Sequence, residues 1–119
     1  MTNFLKPPLE LRRGYKNLKH LGKVAEFPCR ACRIEKAPFA TRLNVHHKCG
    51  IGDGKKASDY LTFTICDFHH QKGGVGEAIH KGVEVWEKKF GKQDDLILEI
   101  HAELGITIFK DYLLTTNSK

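Results

Sequence analysis

The chain has 119 residues, with 20 Lys and Arg, 14 Asp and Glu, 7 His and a formal net charge of +6. That length makes one small domain whose modest core a structural metal would reinforce. With no apolar run of membrane-spanning length and no secretory apolar stretch behind Met1, the chain is expected in the cytoplasm, without a membrane partner. In that reducing compartment its four cysteines are expected to bind metal rather than to form disulfides.

The charge is lopsided. Residues 1–56 hold 13 Lys and Arg against 4 Asp and Glu, a surplus of +9, whereas the remainder holds 7 against 10, or −3. A basic half of this kind suits a polyanionic partner, nucleic acid first among them. The plainer meaning of surplus lysine is solubility.

Residues 1–24 combine Pro7 and Pro8 with Arg12, Arg13, Lys16, Lys19 and Lys23 and show little apolar periodicity. This predicts a partly ordered basic N-terminal arm, which Leu9, Leu11, Tyr15, Leu18 and Leu21 could dock on the domain formed by residues 25–119. His20 is expected to be an ordinary surface residue of that arm. The run Thr41 to His47 alternates like a strand, with Leu43, Val45 and His47 on one side. Residues 50–56, Gly-Ile-Gly-Asp-Gly-Lys-Lys, predict a polar loop; their spacing is not that of a P-loop. Tyr60 to Cys66 predicts a second strand, with Leu61, Phe63 and Ile65 on one face and threonines on the other, so the two strands make a β-hairpin.

Gly73, Gly74 and Gly76 delay the next helix and put His80 at a helix entry. A helix is expected over residues 82–90, ending at Gly91, with Val83, Trp86 and Phe90 on its apolar stripe. Asp94 and Asp95 favour the start of another, with Leu96, Ile97, Ile100 and Leu104 inward and Gly105 as its stop. Residues 106–114 fit helix or strand, and His101 reads as an ordinary helix-face residue.

All four cysteines and five of the seven histidines fall between Cys29 and His80. Cys29-Arg-Ala-Cys32 and Cys66-Asp-Phe-His69 have the spacing of two knuckles that close a tetrahedral zinc site. Cys49 competes with His69 for the fourth position, but only His69 completes a tight knuckle with Cys66. The span between the knuckles holds the whole hairpin, so one Zn2+ would staple the start of one strand to the end of the other. A redox role for Cys29 and Cys32 finds no βαβ context. His46, His47, His70 and His80 are left over. Neighbours on a pleated strand face opposite ways, so His46 and His47 could share one site only where the strand ends, twists or bulges.

A Cys-x-x-Cys, a histidine pair ending one strand, and a second strand running into Cys66-x-x-His69-His70 together resemble the ββα-metal fold of HNH endonucleases. The chain is most similar to the phage recombination-enhancement, RecA-dependent nucleases, through His46-His47 with its Gly-x-Gly loop, Lys56-Ala57-Ser58-Asp59, and Phe90-Gly91-x-Gln93. The resemblance spans roughly residues 29–105. It implies an α+β, zinc-stapled, treble-clef-like domain with C-terminal helices. It also implies a metal-dependent endonuclease that hydrolyses DNA phosphodiesters in phage recombination, with a RecA-coated single strand as partner. In that scheme His47 is the general base, and His46, His70 and His80 hold a catalytic Mg2+, Mn2+ or Zn2+. The family's central asparagine has no counterpart on or before the second strand; Asp59 stands nearest, to hold His47 or shape the metal site. Arg42, Lys48, Lys55 and Lys56 would contact the sugar-phosphate backbone. The competing expectation is a non-catalytic zinc-finger module that binds nucleic acid or a recombination protein; it uses the knuckles and the charge but leaves the other histidines idle.

Overall fold

The computed structural model describes residues 7–35, 42–49 and 56–116. Most of the glycine-rich loop, Lys55 included, lies outside them. The described residues form an α+β fold around one two-stranded antiparallel sheet. Its elements are α1 (Leu18–Val24), α2 (Arg30–Glu35), β1 (Leu43–His47), β2 (Thr62–Cys66), α3 (Val83–Phe90), α4 (Gln93–Leu104) and α5 (Ile108–Thr116), with a wide π-helical turn at Phe68–Lys72. No helix among the described residues is long and apolar enough to cross a membrane.

The hairpin pairs Leu43 with Cys66 at one end and His47 with Thr62 at the other, without a break in register. Every residue of β2 is buried. Phe63 packs on Trp86 of α3, with ring centroids 6.2 Å apart, and Trp86 in turn packs on Phe90 at 5.0 Å. The alternation expected for this strand separates an apolar from a threonine face, and the fold covers both. Thr62 donates its hydroxyl proton to the Asp59 carbonyl at 2.8 Å, and Thr64 donates to the Val24 carbonyl at the end of α1. Buried hydroxyls need such acceptors.

Residues 7–24, expected as part of a partly ordered basic arm able to dock on the domain, make specific contacts with it. Asn17 caps α1 by accepting the His20 amide at 3.0 Å. His20 and Val24, four residues apart on one helical face, are both buried. The segment before the helix is sewn to residues 56–59: Gly14 N–H donates to the Lys56 carbonyl at 3.0 Å, and Asp59 N–H donates to the Tyr15 carbonyl at 2.9 Å. His20 is thus a core residue, ringed by Tyr60 and His101 at centroid distances of 4.5 and 5.6 Å. His101 is likewise buried, facing the Tyr60 carbonyl at 2.7 Å through Nε2.

The C-terminal half follows the apolar periodicity closely. Trp86 and Phe90 of α3 are buried, as are Leu96, Ile97 and Ile100 of α4, and the chain leaves α4 through Gly105 in the left-handed region at φ 73°. The ambiguous last segment is helix.

Candidate metal centres and the adjoining histidine–aspartate pair

Cys29 and Cys32 come from the first turn of α2 and its entry, where a spacing of three puts both thiols on one side. Cys66 ends β2, and His69 lies in the π-helical turn that follows. The Nδ1 atom of His69 stands 3.2 Å from Cys66 Sγ, 3.6 Å from Cys32 Sγ and 3.8 Å from Cys29 Sγ, while Cys32 and Cys66 sulfurs are 3.5 Å apart. Tetrahedral zinc with Zn–S of about 2.3 Å and Zn–N of about 2.0 Å requires edges of about 3.8 Å between sulfurs and about 3.5 Å from sulfur to nitrogen. The four donors fit a metal ion and are compatible with zinc. Burial pushes the Cys29 thiol up, so its thiolate is stabilised only together with a cation. His69, not Cys49, is the fourth member. The knuckle tie runs from α2 to the end of β2, rather than from strand to strand as expected, because residues 30–35 form a helix.

The π-helical turn also separates two adjacent histidines. His69 faces the thiols, and His70 faces the other way, with Nε2 3.1 Å from His46 Nδ1 and 3.0 Å from His80 Nε2. His46 projects from β1 and His80 from a short 3-10 turn, Ile79–Lys81. A neutral ring nitrogen has one proton or one lone pair, so His70 Nε2 can satisfy only one of these neighbours by hydrogen bonding. A cation receiving three lone pairs satisfies all of them, and the observed spacings are a few tenths of an ångström below the edge of about 3.3 Å for tetrahedral zinc. The three ligand atoms therefore form a second group able to hold a metal ion. Burial, then the neighbouring His70 and His80 charges, lowers the pKa of His46 to about 3; burial and His80 lower that of His70. Both are neutral, the ligating form, at ordinary pH.

His47 does not join this trio. Regular pleating sends it away from His46, and its Nε2 meets Asp59 Oδ1 at 2.8 Å. The other oxygen of Asp59 accepts the backbone N–H of Asn17 at 2.7 Å. Burial works against ionisation of Asp59, but the hydrogen bonds from His47 and Asn17, with the positive charge of Lys16, outweigh it and hold its carboxyl below the usual range. An ionised Asp59 accepts a hydrogen bond from the Nε2–H of His47, which leaves the ring's lone pair on Nδ1. Of the two roles expected for Asp59, the geometry matches the first: it holds His47.

The contacts of three residues escaped the sequence, although Gln93 stands in the Phe90-Gly91-x-Gln93 stretch that carries part of the resemblance. Asn17 serves Asp59 through its backbone and Tyr60 through its side chain, which donates to the phenol oxygen at 3.1 Å. Asn44 donates to Asp67 and lies 3.4 Å from His70 Nδ1. Gln93 clasps Cys49 from both sides, accepting its N–H at 3.0 Å and donating to its carbonyl at 3.1 Å. The N-cap chemistry of Asn17 was legible; nothing local marks its reach to Asp59, 42 residues away.

Among the expected backbone-binding residues, Arg42 and Lys56 are exposed. Lys48 instead forms an ion pair with Asp94 of α4 at 2.6 Å. The chain matches no protein-family model, no curated protein and no solved structure.

Proposed function

We propose that this protein is a metal-dependent endonuclease of the HNH type, with a zinc-stapled ββα-metal core, acting on DNA phosphodiesters. The observation that carries the proposal is that adjacent residues at the end of one strand, His46 and His47, belong respectively to a three-imidazole cluster and to a separate histidine–aspartate pair. A structural clip alone uses neither. Phosphodiester hydrolysis uses both, because it needs a base for the attacking water and positive charge against the phosphate.

His46, His70 and His80 would hold a divalent cation, which when bound supplies Lewis-acid stabilisation of charge on the phosphate. Three imidazoles suit Zn2+ or another transition ion better than Mg2+, whose preference is for oxygen. His47 accepts the proton of the attacking water at Nδ1. Asp59 keeps the other ring nitrogen protonated, fixes the ring plane and stabilises the imidazolium that forms.

The test is plasmid nicking by purified protein under Mg2+, Mn2+ and Zn2+, with and without a RecA-coated single strand, alongside metal analysis. Nicking that disappears in His47→Ala, with about two ions per chain, is the expected result. Intact DNA under every condition with one ion per chain would replace the enzyme with a zinc-finger binding module.

A further inference from the structure

The start of α1 holds the carboxylate behind His47, and the exposed side of the same helix is basic. Lys16, Lys19 and Lys23 are all exposed, and none of them forms an ion pair with a described residue. Residues three and four apart share one side of a helix, so the three lysines make a single stripe beside the buried His20 and Val24. The helix contains no acidic residue, and Glu26, two residues beyond it, pairs with none of the three.

For a helix on its own this arrangement is unfavourable. About 6 Å of rise separates Lys19 from Lys23, close enough for like charges to repel, and Lys16 and Lys19 stand at the N-terminal end, where a cation opposes the macrodipole. Gly22, three residues past Lys19, costs about 1 kcal/mol of helix propensity relative to alanine. A Cβ at Gly22 would meet nothing within 4 Å, so packing does not require the glycine. An anionic chain along this side accounts for both features: it neutralises the lysines, and a residue without a side chain lets it approach the helix closely. The stripe also begins beside the reacting pair. Asn17, next to Lys16, gives its N–H to Asp59 Oδ2 at 2.7 Å, the charge of Lys16 is felt at Asp59, and Asp59 Oδ1 meets His47 at 2.8 Å.

We propose that the Lys16, Lys19 and Lys23 stripe of α1 is a docking surface for the sugar-phosphate backbone of the nucleic acid, along which the strand is led to His47. The inference rests on the nuclease reading for its partner. An acidic peptide or an anionic membrane surface would neutralise the same lysines, but neither has cause to lie beside a general base. Contacts of this kind position the strand without reading its sequence.

The test measures binding of the metal-loaded protein to a fluorescent duplex oligonucleotide across a salt series, with nicking scored separately. Lys16→Gln, Lys19→Gln and Lys23→Gln should each flatten the slope of log affinity against log salt by about 0.9, and by about 2.7 when combined, with the fold retained by circular dichroism. Lys88→Gln, Lys92→Gln and Lys110→Gln combined remove the same charge from other exposed positions and should leave the slope unchanged. A slope unaltered by the α1 substitutions, or flattened equally by the other three, overturns the docking surface even where the parent protein nicks DNA. The expected contrast, in a parent that cuts nothing under any metal, upholds the docking surface while the nuclease reading falls. Weakened binding of the α1 variants to polyglutamate or to anionic vesicles, but not to the duplex, also overturns it.

Discussion

His69 and His70 are consecutive residues that serve different clusters: Nδ1 of the first lies 3.2 Å from Cys66 Sγ, and Nε2 of the second lies 3.1 Å from His46 Nδ1. The wide turn of Phe68–Lys72 makes this divergence possible, and π-helical turns recur where side chains must be re-aimed at a functional site. The two candidate metal centres are therefore mechanically linked through a single peptide unit.

That turn closes through the Gly73 N–H, which donates to the Phe68 carbonyl at 2.8 Å. A Cβ on Gly73 would sit 2.8 Å from that oxygen and 3.0 Å from Glu77 Cβ. Gly73→Ala should cost about 1–3 kcal/mol through overpacking. Thermal melts of the metal-loaded protein check the stability loss, and metal titration should show His70 held less well.

The two clusters should separate by metal content. His70→Ala is expected to fold and to retain about one ion per chain. Cys66→Ala should impair folding itself, because the free energy of binding a structural zinc is also folding free energy. Elemental analysis with circular dichroism distinguishes the two outcomes, and a strong chelator should unfold the wild type.

Removing the base should cost rate and not affinity. His47→Ala is expected to bind DNA normally and to cut about 10²–10⁴-fold more slowly. Asp59→Asn still offers an oxygen to the Asn17 N–H but need not hold the His47 proton on Nε2, so its loss should appear in kcat. Single-turnover cleavage and a binding assay make the comparison.

Acid should weaken the seat of α1. Burial, then the positive charges of His101 and Lys23, lowers the pKa of His20 from 6.5 to about 4, with Asp59 acting in the opposite direction. The unfolded chain takes up this proton as pH falls through 6.5, whereas the folded one resists until about 4. The stabilisation is thus complete above 6.5 and is lost as pH falls towards 4, by about 2 kcal/mol at pH 5. Denaturant melts of wild type and His20→Gln between pH 7 and 5 should show a flatter dependence in the variant.

Gln93 should matter beyond its size. Its carboxamide holds both backbone groups of Cys49, two residues past His47. Gln93→Leu preserves bulk and strands those groups, at a cost of about 1–3 kcal/mol. Hydrogen exchange of the Cys49 amide is expected to speed up well before global unfolding.

Much of this was written in local pattern. Knuckle spacing named all four donors of the first centre, with Cys49 as the one competitor, because two residues three apart reach one ion whatever the rest of the chain does. Apolar periodicity located α3 and α4, since their stripes at Trp86 and Phe90, and at Leu96, Ile97 and Ile100, need no partner to be recognised. What the tertiary structure alone decided is which surfaces those elements cover. Pleating dictated that His46 and His47 diverge, but only the packed fold delivers His70 and His80 to the one and Asp59 to the other. The N-terminal residues give the sharpest case: their prolines and lysines lack the periodicity of a core element, yet His20 and Val24 are buried and Asn17 holds the carboxylate behind His47. Those contacts join residues some 40 positions apart, and no local property of either partner encodes the distance between them.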